Sequence, residues 1–569
     1  MRSSSIVRIR IITGAILCIA LILILRLYQI QVLHSETYQD LATKQYVHTA
    51  SDIFDRGTIY MTTKDGEEVS AAALKSGFLL AINPGDITDA EAAYRELSTI
   101  VTIDKDDFLA RASKKDDTYE EVATRISEAD AERIKSLKIP GVRMYRDQWR
   151  VYPGEKLASH AIGFVGYDGD ELVGRYGLER YYNDRLIRGK EAVSVNFFAE
   201  VFGNLGIFNF DAQKNQEADI ITTLEPTVSR MLDAELTAVH EKLSSKLTGG
   251  IVMDPHTGAI LAMSIVPGFD LNNRNGVDVA RFRNPLVEDF YELGSIIKPL
   301  TVAAGLDAQT ITAQSTYYDA GSLEMDGYTI YNFDKKGRGT VPMQEVLNQS
   351  LNTGVAHIVK TMGRKRFREY FTALDLGTET GIDLPNETHG RIDNLESPRD
   401  IEYATASFGQ GIAMTPIEGV RALATLGNGG LLVTPHLVEK IRLKDGTTQE
   451  ISQPDPKRVF NEGTSEEISR MLTVVVDKAL RGGAKKNERY SVAAKTGTAQ
   501  IADPESGGYY DDRYLHSFFG YFPSYNPKFI VFLYTVEPKD VQYASETLTD
   551  PFINMTNFLL NYYDIPPDR

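Results

Sequence analysis

The chain has 569 residues, 42% hydrophobic and 24% charged. That is enough for two to four domains around a sizeable core, and too apolar for a disordered chain. The formal net charge of −17 argues against nucleic-acid binding, whose footprint is a basic patch, while a single cysteine, Cys18, excludes an intrachain disulfide and cysteine-based metal sites. No metal or organic cofactor is expected, and the nine histidines show no HExxH pattern.

Arg2, Arg8 and Arg10 precede an uninterrupted apolar run at 11–25, and Arg26 follows it. The run is shorter than the ~20 residues of a full span. Ile9, Leu27 and Tyr28 extend it, and Arg10 and Arg26 can snorkel to the interfaces. No small-residue cleavage site stands just beyond it, so the pattern predicts an uncleaved transmembrane anchor at 11–30 rather than a signal peptide. The basic flank makes residues 1–10 a cytoplasmic tail, with the remainder of the chain on the other side of a cell membrane.

Residues 31–225 read as an extended, mixed α/β pedestal. A short strand, a turn at Lys64-Asp65-Gly66 and a second strand-like entry come first. The polar stretch 117–138 reads as helix, and VRMYRDQWRVYPGE alternates as a strand. GRYGLERYYNDRLIRGK, 174–190, reads as a short helix with loop glycines. The second unit, 226–569, opens on EPTVSRMLDAELTAVHEKL, whose apolar residues recur at helical spacing. GGIVMDPHTGAILAMSIV then predicts a hairpin about His256-Thr257-Gly258. MQEVLNQSLNTGVAHIVKTMG and SEEISRMLTVVVDKAL are helical patterns. Strands follow in YSVAAKTGTAQ, HSFFGYFPS and KFIVFLYTV, and PFINMTNFLLNYY is a closing helix. Helix, strands, a helical insert, strands and helix imply an α+β fold, an antiparallel sheet carrying helices, rather than a Rossmann alternation.

Three short stretches carry chemistry together. In YELGSIIKPLT, Gly294 stands before Ser295, and Lys298 follows one helical turn on. A serine at a helix start has a backbone N–H aimed outward, and a lysine one turn away can take its proton if burial or nearby positive charge lowers the amine's pKa. In NQSLNTG, Ser350 and Asn352 flank Leu351; an extended turn points both side chains one way, to relay a proton and hold a substrate amide. In AAKTGTAQ, Lys495, Thr496 and Thr498 present a cation and hydroxyls at a strand edge, suited to a carboxylate. Gly497 leaves room for a substrate backbone. The N–H groups of Ser295 and Thr498 could form an oxyanion hole. Each stretch alone reads more readily as a cap, a turn or an exposed strand residue; their order and contexts together make the set a strong signal.

The S-x-x-K, S-x-N and K-T-G set resembles that of penicillin-binding proteins and serine β-lactamases. The whole chain resembles a class B penicillin-binding protein, a monofunctional peptidoglycan transpeptidase. DRGTIY, GRYGLERYYNDRLIRGK, VMDPHTGAILAM and FGQGIAMTPIE resemble further signatures of that family. Leu293, Leu351, Glu225, Ala494 and the run MTTKDG at 61–66 depart from its usual residues without removing a catalytic group.

The resemblance implies a penicillin-binding transpeptidase domain behind a dimerisation-type pedestal. It implies Ser295 as nucleophile, Lys298 as base, Ser350 and Lys495 in proton transfer, and Asn352, Thr496, Gly497 and Thr498 against the donor stem peptide. It implies acylation by β-lactams, a membrane glycosyltransferase and other divisome or elongasome proteins as partners, and work at the division septum. The alternatives are an elongation-type transpeptidase, a D,D-carboxypeptidase or β-lactamase, and a catalytically silent divisome scaffold.

Overall fold

The computed structural model describes residues 54–169, 171–188, 217–503 and 507–569. The expected anchor at 11–30 and tail at 1–10 lie outside these residues. Among the described residues no helix is long and apolar enough to cross a membrane. The chain forms two compact units.

The smaller unit includes residues 76–148. Its core is Leu80, Ile82, Leu97, Phe108, Ile126 and Ile134. Three helices pack there, Ala90–Leu97, Lys105–Ala112 and Glu128–Ser136, capped by side chains of Asp89, Asp104 and Ser127 respectively. The stretch expected as one helix at 117–138 is instead a strand, Glu120–Ile126, followed by the third helix. Tertiary pairing decides this: Ile82 lies opposite Glu120 and Phe78 opposite Ile126 in an antiparallel ladder. Ser127 then starts the helix by accepting from the Asp130 N–H at 3.1 Å.

The larger unit is built on a five-stranded antiparallel sheet, in the order Ala493–Asp503, Gly508–Phe522, Phe529–Val536, Leu247–Met253, Ile260–Val266. The predicted hairpin and the three late strands are all in it. The sheet is buried on both faces, which is why its third strand, FIVFLYTV, is apolar almost throughout. Phe518, Phe522, Leu533 and Val531 pack with Leu232, Leu236, Phe552 and Leu559 from the helices Pro226–Leu243 and Thr549–Tyr562. Phe519, Tyr521 and Phe532 belong to the other core, with Ile297, Leu300 and Val355 from the helical insert. Glu225, one of the departures from the family pattern, caps the first helix: its Oε2 accepts from the Val228 N–H at 2.5 Å and its Oε1 from the Tyr562 hydroxyl at 2.8 Å.

The larger unit also contains residues 56–75 and 149–188. Strand Ile59–Thr62 runs antiparallel to the start of Glu68–Ile82 and parallel to Ala218–Thr222, which pairs in turn with Val438–Leu443. Arg56 and Glu179, from two of the stretches that resemble family signatures, meet here. Arg56 Nε donates to Glu179 Oε2 at 2.6 Å and Arg150 Nε to Oε1 at 2.7 Å, all three side chains being at most 1% exposed. The sequence reading of 174–190 as helix and loop missed this buried ion cluster.

Candidate active site

Ser295 lies in a short 3₁₀ turn, Gly294–Ile297, that runs directly into the helix Lys298–Asp307. The helix is buried from Lys298 to Gly305, and Ser295 alone of 293–300 is half open. Gly294 has φ +65°, and its N–H donates to Gly409 O at 3.2 Å. A Cβ there would stand 2.9 Å from Thr498 O, so glycine lets the turn lie against the edge strand Ala493–Asp503. Gly497 serves the same approach from the other side, since its Cβ would meet Leu293 O at 2.7 Å and Ser517 Oγ at 2.3 Å. These two glycines bring the backbone next to Ser295 and the backbone of Thr498 together.

Lys298 is 1% exposed. Its Nζ donates to Ser350 O at 2.6 Å and to Ser350 Oγ at 3.1 Å. Among the described residues no hydrogen bond joins it to Ser295 Oγ; the amine expected to reach the serine directly leans here toward Ser350. Burial, and after it the charge of Lys495, push its pKa well below the ordinary lysine value. Lys495 is 4% exposed, donates to Ser350 Oγ at 3.0 Å and to Thr496 O at 3.0 Å, and burial lowers its pKa to about 8. Two amines therefore converge on one hydroxyl, and no carboxylate forms an ion pair with either among the described residues.

Ser350 has φ +54°, a left-handed conformation uncommon for a non-glycine residue. It interrupts the predicted helix, separating Met343–Asn348 from Asn352–Met362. Asn352 is thus the first residue of a helix, not part of an extended turn. Its Nδ2 donates to Tyr331 O at 2.8 Å. Leu351, between them, is fully buried.

A buried carboxylate that sequence reasoning did not single out holds this break. Asp319, 1% exposed, accepts from Asn332 Nδ2 on both oxygens at 3.0 Å, from Thr353 Oγ1 at 2.8 Å, and from the Gly321 and Arg338 N–H groups. Asn332 Oδ1 in turn accepts from the Thr353 N–H at 3.3 Å. No local signal marks Asp319, because its partners lie up to 34 residues away.

On the opposite wall, Thr496, Thr498 and Gln500 alternate with buried neighbours along the edge strand. Thr498 Oγ1 accepts from the Ala544 N–H at 3.1 Å, which leaves its hydroxyl proton free to donate. Glu292 steadies the approach to Ser295, accepting from the Gly411 N–H at 3.0 Å and the Tyr509 hydroxyl at 3.0 Å; burial raises its pKa. Ser295, Lys298, Ser350, Asn352, Lys495, Thr496 and Thr498 all line one open cavity of about 930 Å³, and Gly497 lies on the strand between the two threonines. The arrangement offers a half-exposed hydroxyl, a buried amine with a depressed pKa, a hydroxyl relay and a cation beside strand-edge hydroxyls.

A model of the penicillin binding protein transpeptidase domain matches residues 248–556, and a model of the penicillin-binding protein dimerisation domain matches residues 55–204. The chain is similar to stage V sporulation protein D of Bacillus subtilis, at 30% identity over 546 residues, covering 94% of this chain and 82% of that protein. It is also similar to the probable peptidoglycan D,D-transpeptidase PenA of Neisseria gonorrhoeae, at 28% identity over 527 residues, covering 90% and 85%. Among solved structures it resembles penicillin binding protein 3 of Mycobacterium tuberculosis in complex with aztreonam, with TM-score 0.68, 21% identity, and coverage of 91% of this chain and 98% of that one.

Proposed function

The chain belongs to the class B penicillin-binding proteins, and from that membership we infer that it is a serine-type peptidoglycan D,D-transpeptidase. It cross-links stem peptides through an acyl-enzyme. The observation that carries the assignment of roles is the convergence of Lys298 and Lys495 on Ser350 Oγ, at 3.1 and 3.0 Å, in the cavity that Ser295 lines.

In this reading neutral Lys298 takes the Ser295 proton as Oγ attacks the carbonyl of the penultimate D-alanine. A rotation within the cavity brings its amine from Ser350 to Ser295. The Ser295 and Thr498 N–H groups hold the tetrahedral oxyanion, an interaction worth about 10²–10³ in rate per donor. Ser350, beside both amines, passes a proton to the leaving D-alanine nitrogen as the C–N bond breaks. A neighbouring stem's amino group then attacks the ester, forms the cross-link and returns Ser295 its proton. Asn352 orients the donor amide. Lys495, Thr496 and Thr498 grip the terminal carboxylate, with Gly497 giving the peptide backbone room.

The finer assignments extend the same reading. β-Lactams mimic the donor and acylate Ser295. The apolar run at 11–25 with its arginine flanks supports a single membrane anchor with the catalytic unit outside the cytoplasm. A membrane glycosyltransferase supplies the glycan strands, and the septum is the site of action.

The test is acylation of the full chain by labelled benzylpenicillin beside Ser295→Ala. A stable adduct on the wild type alone supports the nucleophile and a slowly deacylating site. An adduct that turns over rapidly favours a carboxypeptidase or β-lactamase. An adduct retained by Ser295→Ala sinks the assignment of the nucleophile.

A further inference from the structure

We propose that the cleft holds a second carboxylate subsite at Lys335, beyond the grip on the peptide's terminal carboxylate. The donor stem peptide preferred by this protein then carries a free carboxylate upstream of its D-alanines rather than the corresponding amide. The proposal rests on the transpeptidase reading and specifies its substrate.

The first observation is a reversal of charge. The chain has 78 acidic and 61 basic residues. The cavity nevertheless is lined by Lys298, Lys335, Arg338, Arg481 and Lys495 and, among the described residues, by no aspartate or glutamate. A low-dielectric cleft of one sign attracts ligands of the other. Two of these five basic side chains are already paired with acids. Arg338 donates through both terminal nitrogens to Asp334 at 2.8 Å, and Arg481 Nη1 to both oxygens of Asp550 at 2.9 Å. Lys298 and Lys495 face Ser350. Lys335 is exposed and forms no ion pair among the described residues, and its Nζ lies 5.4 Å from the centre of the Tyr331 ring.

The second observation is where Lys335 is held. Its φ is +56° and its N–H donates to Asn332 O at 2.9 Å, closing a tight turn. That turn is fastened to the Ser350 break twice, by Asn352 Nδ2 on Tyr331 O and by the Asp319–Asn332–Thr353 cluster. The cation therefore belongs to the wall that carries Asn352, the residue that orients the donor amide in the transpeptidase reading. Phe333, from the same turn, packs edge-on against Tyr543 at 6.1 Å, and both rings line the cavity. Aromatic flanks reduce the water around a bound carboxylate and strengthen its pairing with the ammonium. An ordinary solvated lysine needs neither the pinned turn nor a cavity whose charged lining is all basic.

Benzylpenicillin and carbenicillin differ by one side-chain carboxylate, next to the amide that stands for the donor's backbone. Second-order acylation constants for both are measured on the full chain as wild type, Lys335→Met and Lys335→Arg. The ratio of carbenicillin to benzylpenicillin falls about fivefold in Lys335→Met, as expected for a partly exposed pair, and recovers in Lys335→Arg. High salt moves the wild-type ratio toward that of Lys335→Met. A ratio equal in wild type and Lys335→Met overturns the subsite. A wild type acylated by neither penicillin overturns the transpeptidase reading beneath it.

Discussion

The larger unit buries two clusters of charge, and they are built on opposite plans. In one, Arg56 and Arg150 clasp Glu179. In the other, Lys298 and Lys495 face each other across Ser350 with no anion between them. Burial alone would raise the Glu179 pKa, but the two guanidiniums outweigh it and hold the carboxyl below its ordinary value. Burial lowers both lysines, and Lys495 lowers Lys298 further. The first cluster stays charged and fastens the strand start at Arg56 to the helix at Gly177–Tyr181. The second is poised to give up a proton. Buried charge with a matched partner serves structure, while buried charge deprived of one is available for chemistry.

Removing one member of each cluster separates the two roles. Lys298→Met should slow acylation by labelled penicillin by about 10³-fold, within the range for loss of a positioned base. It should leave the melting temperature equal or higher, because a buried amine without an anion is gone. Glu179→Gln should do the reverse. It leaves two guanidiniums buried without a carboxylate, a loss of about 3–5 kcal/mol in unfolding free energy by denaturant titration. The acylation rate per folded molecule should stay near wild type. A Glu179→Gln protein of unchanged stability would remove the structural half of the contrast.

A smaller effect is expected at Asp319, which touches no reacting group. Asp319→Asn weakens the hold on Asn332 and Thr353 and loosens the left-handed conformation of Ser350. Stopped-flow acylation should show about a tenfold fall in the chemical step, with the drug's dissociation constant little changed, as for roughly 1–1.5 kcal/mol of lost positioning. An effect on binding alone, or on melting temperature alone, would leave Asp319 a merely structural acid.

Both clusters also mark where the sequence stopped being legible. The order of the elements, the hairpin at His256-Thr257-Gly258 and the edge strand with Lys495 were readable, because alternation and turn residues are local. The three motifs were readable from type and spacing, and residues of all three line one cavity. The break at Ser350 was only half legible, since MQEVLNQSLNTGVAHIVKTMG has a helical period while the Ser350–Asn352 pair was expected in an extended turn. What breaks it are bonds to Asp319, Tyr331 and Asn332, remote in sequence. The lean of Lys298 toward Ser350 rather than Ser295 is a matter of packing that no motif encodes. The strand at Glu120–Ile126 was missed for a related reason: its residues are polar enough for a surface helix, and only pairing with the strand at Phe78 settles the choice. Ser127 with Asp130 was a visible start signal that should have divided that stretch.

The subtlest expected difference between the clusters is in their response to pH. Glu179 has a folded pKa below its unfolded one, so its contribution to stability is present above the ordinary carboxylate range and is lost as pH falls through the folded value. Lys495 runs the other way. Its folded pKa is about 8 against an ordinary value of 10.5. Between these the unfolded chain keeps a proton that the folded chain has released, so this group makes stability rise with pH across that window. Urea titrations from pH 7.5 to 10.5 should show that rise in wild type and a flatter profile in Lys495→Met. In the proposed function Lys495 grips the donor's carboxylate as a cation, so acylation should move oppositely over the same range, falling above pH 8. A stability rise without the fall in acylation would mean that Lys495 is desolvated but that its charge does not hold the substrate, and Thr496 and Thr498 would carry that task alone.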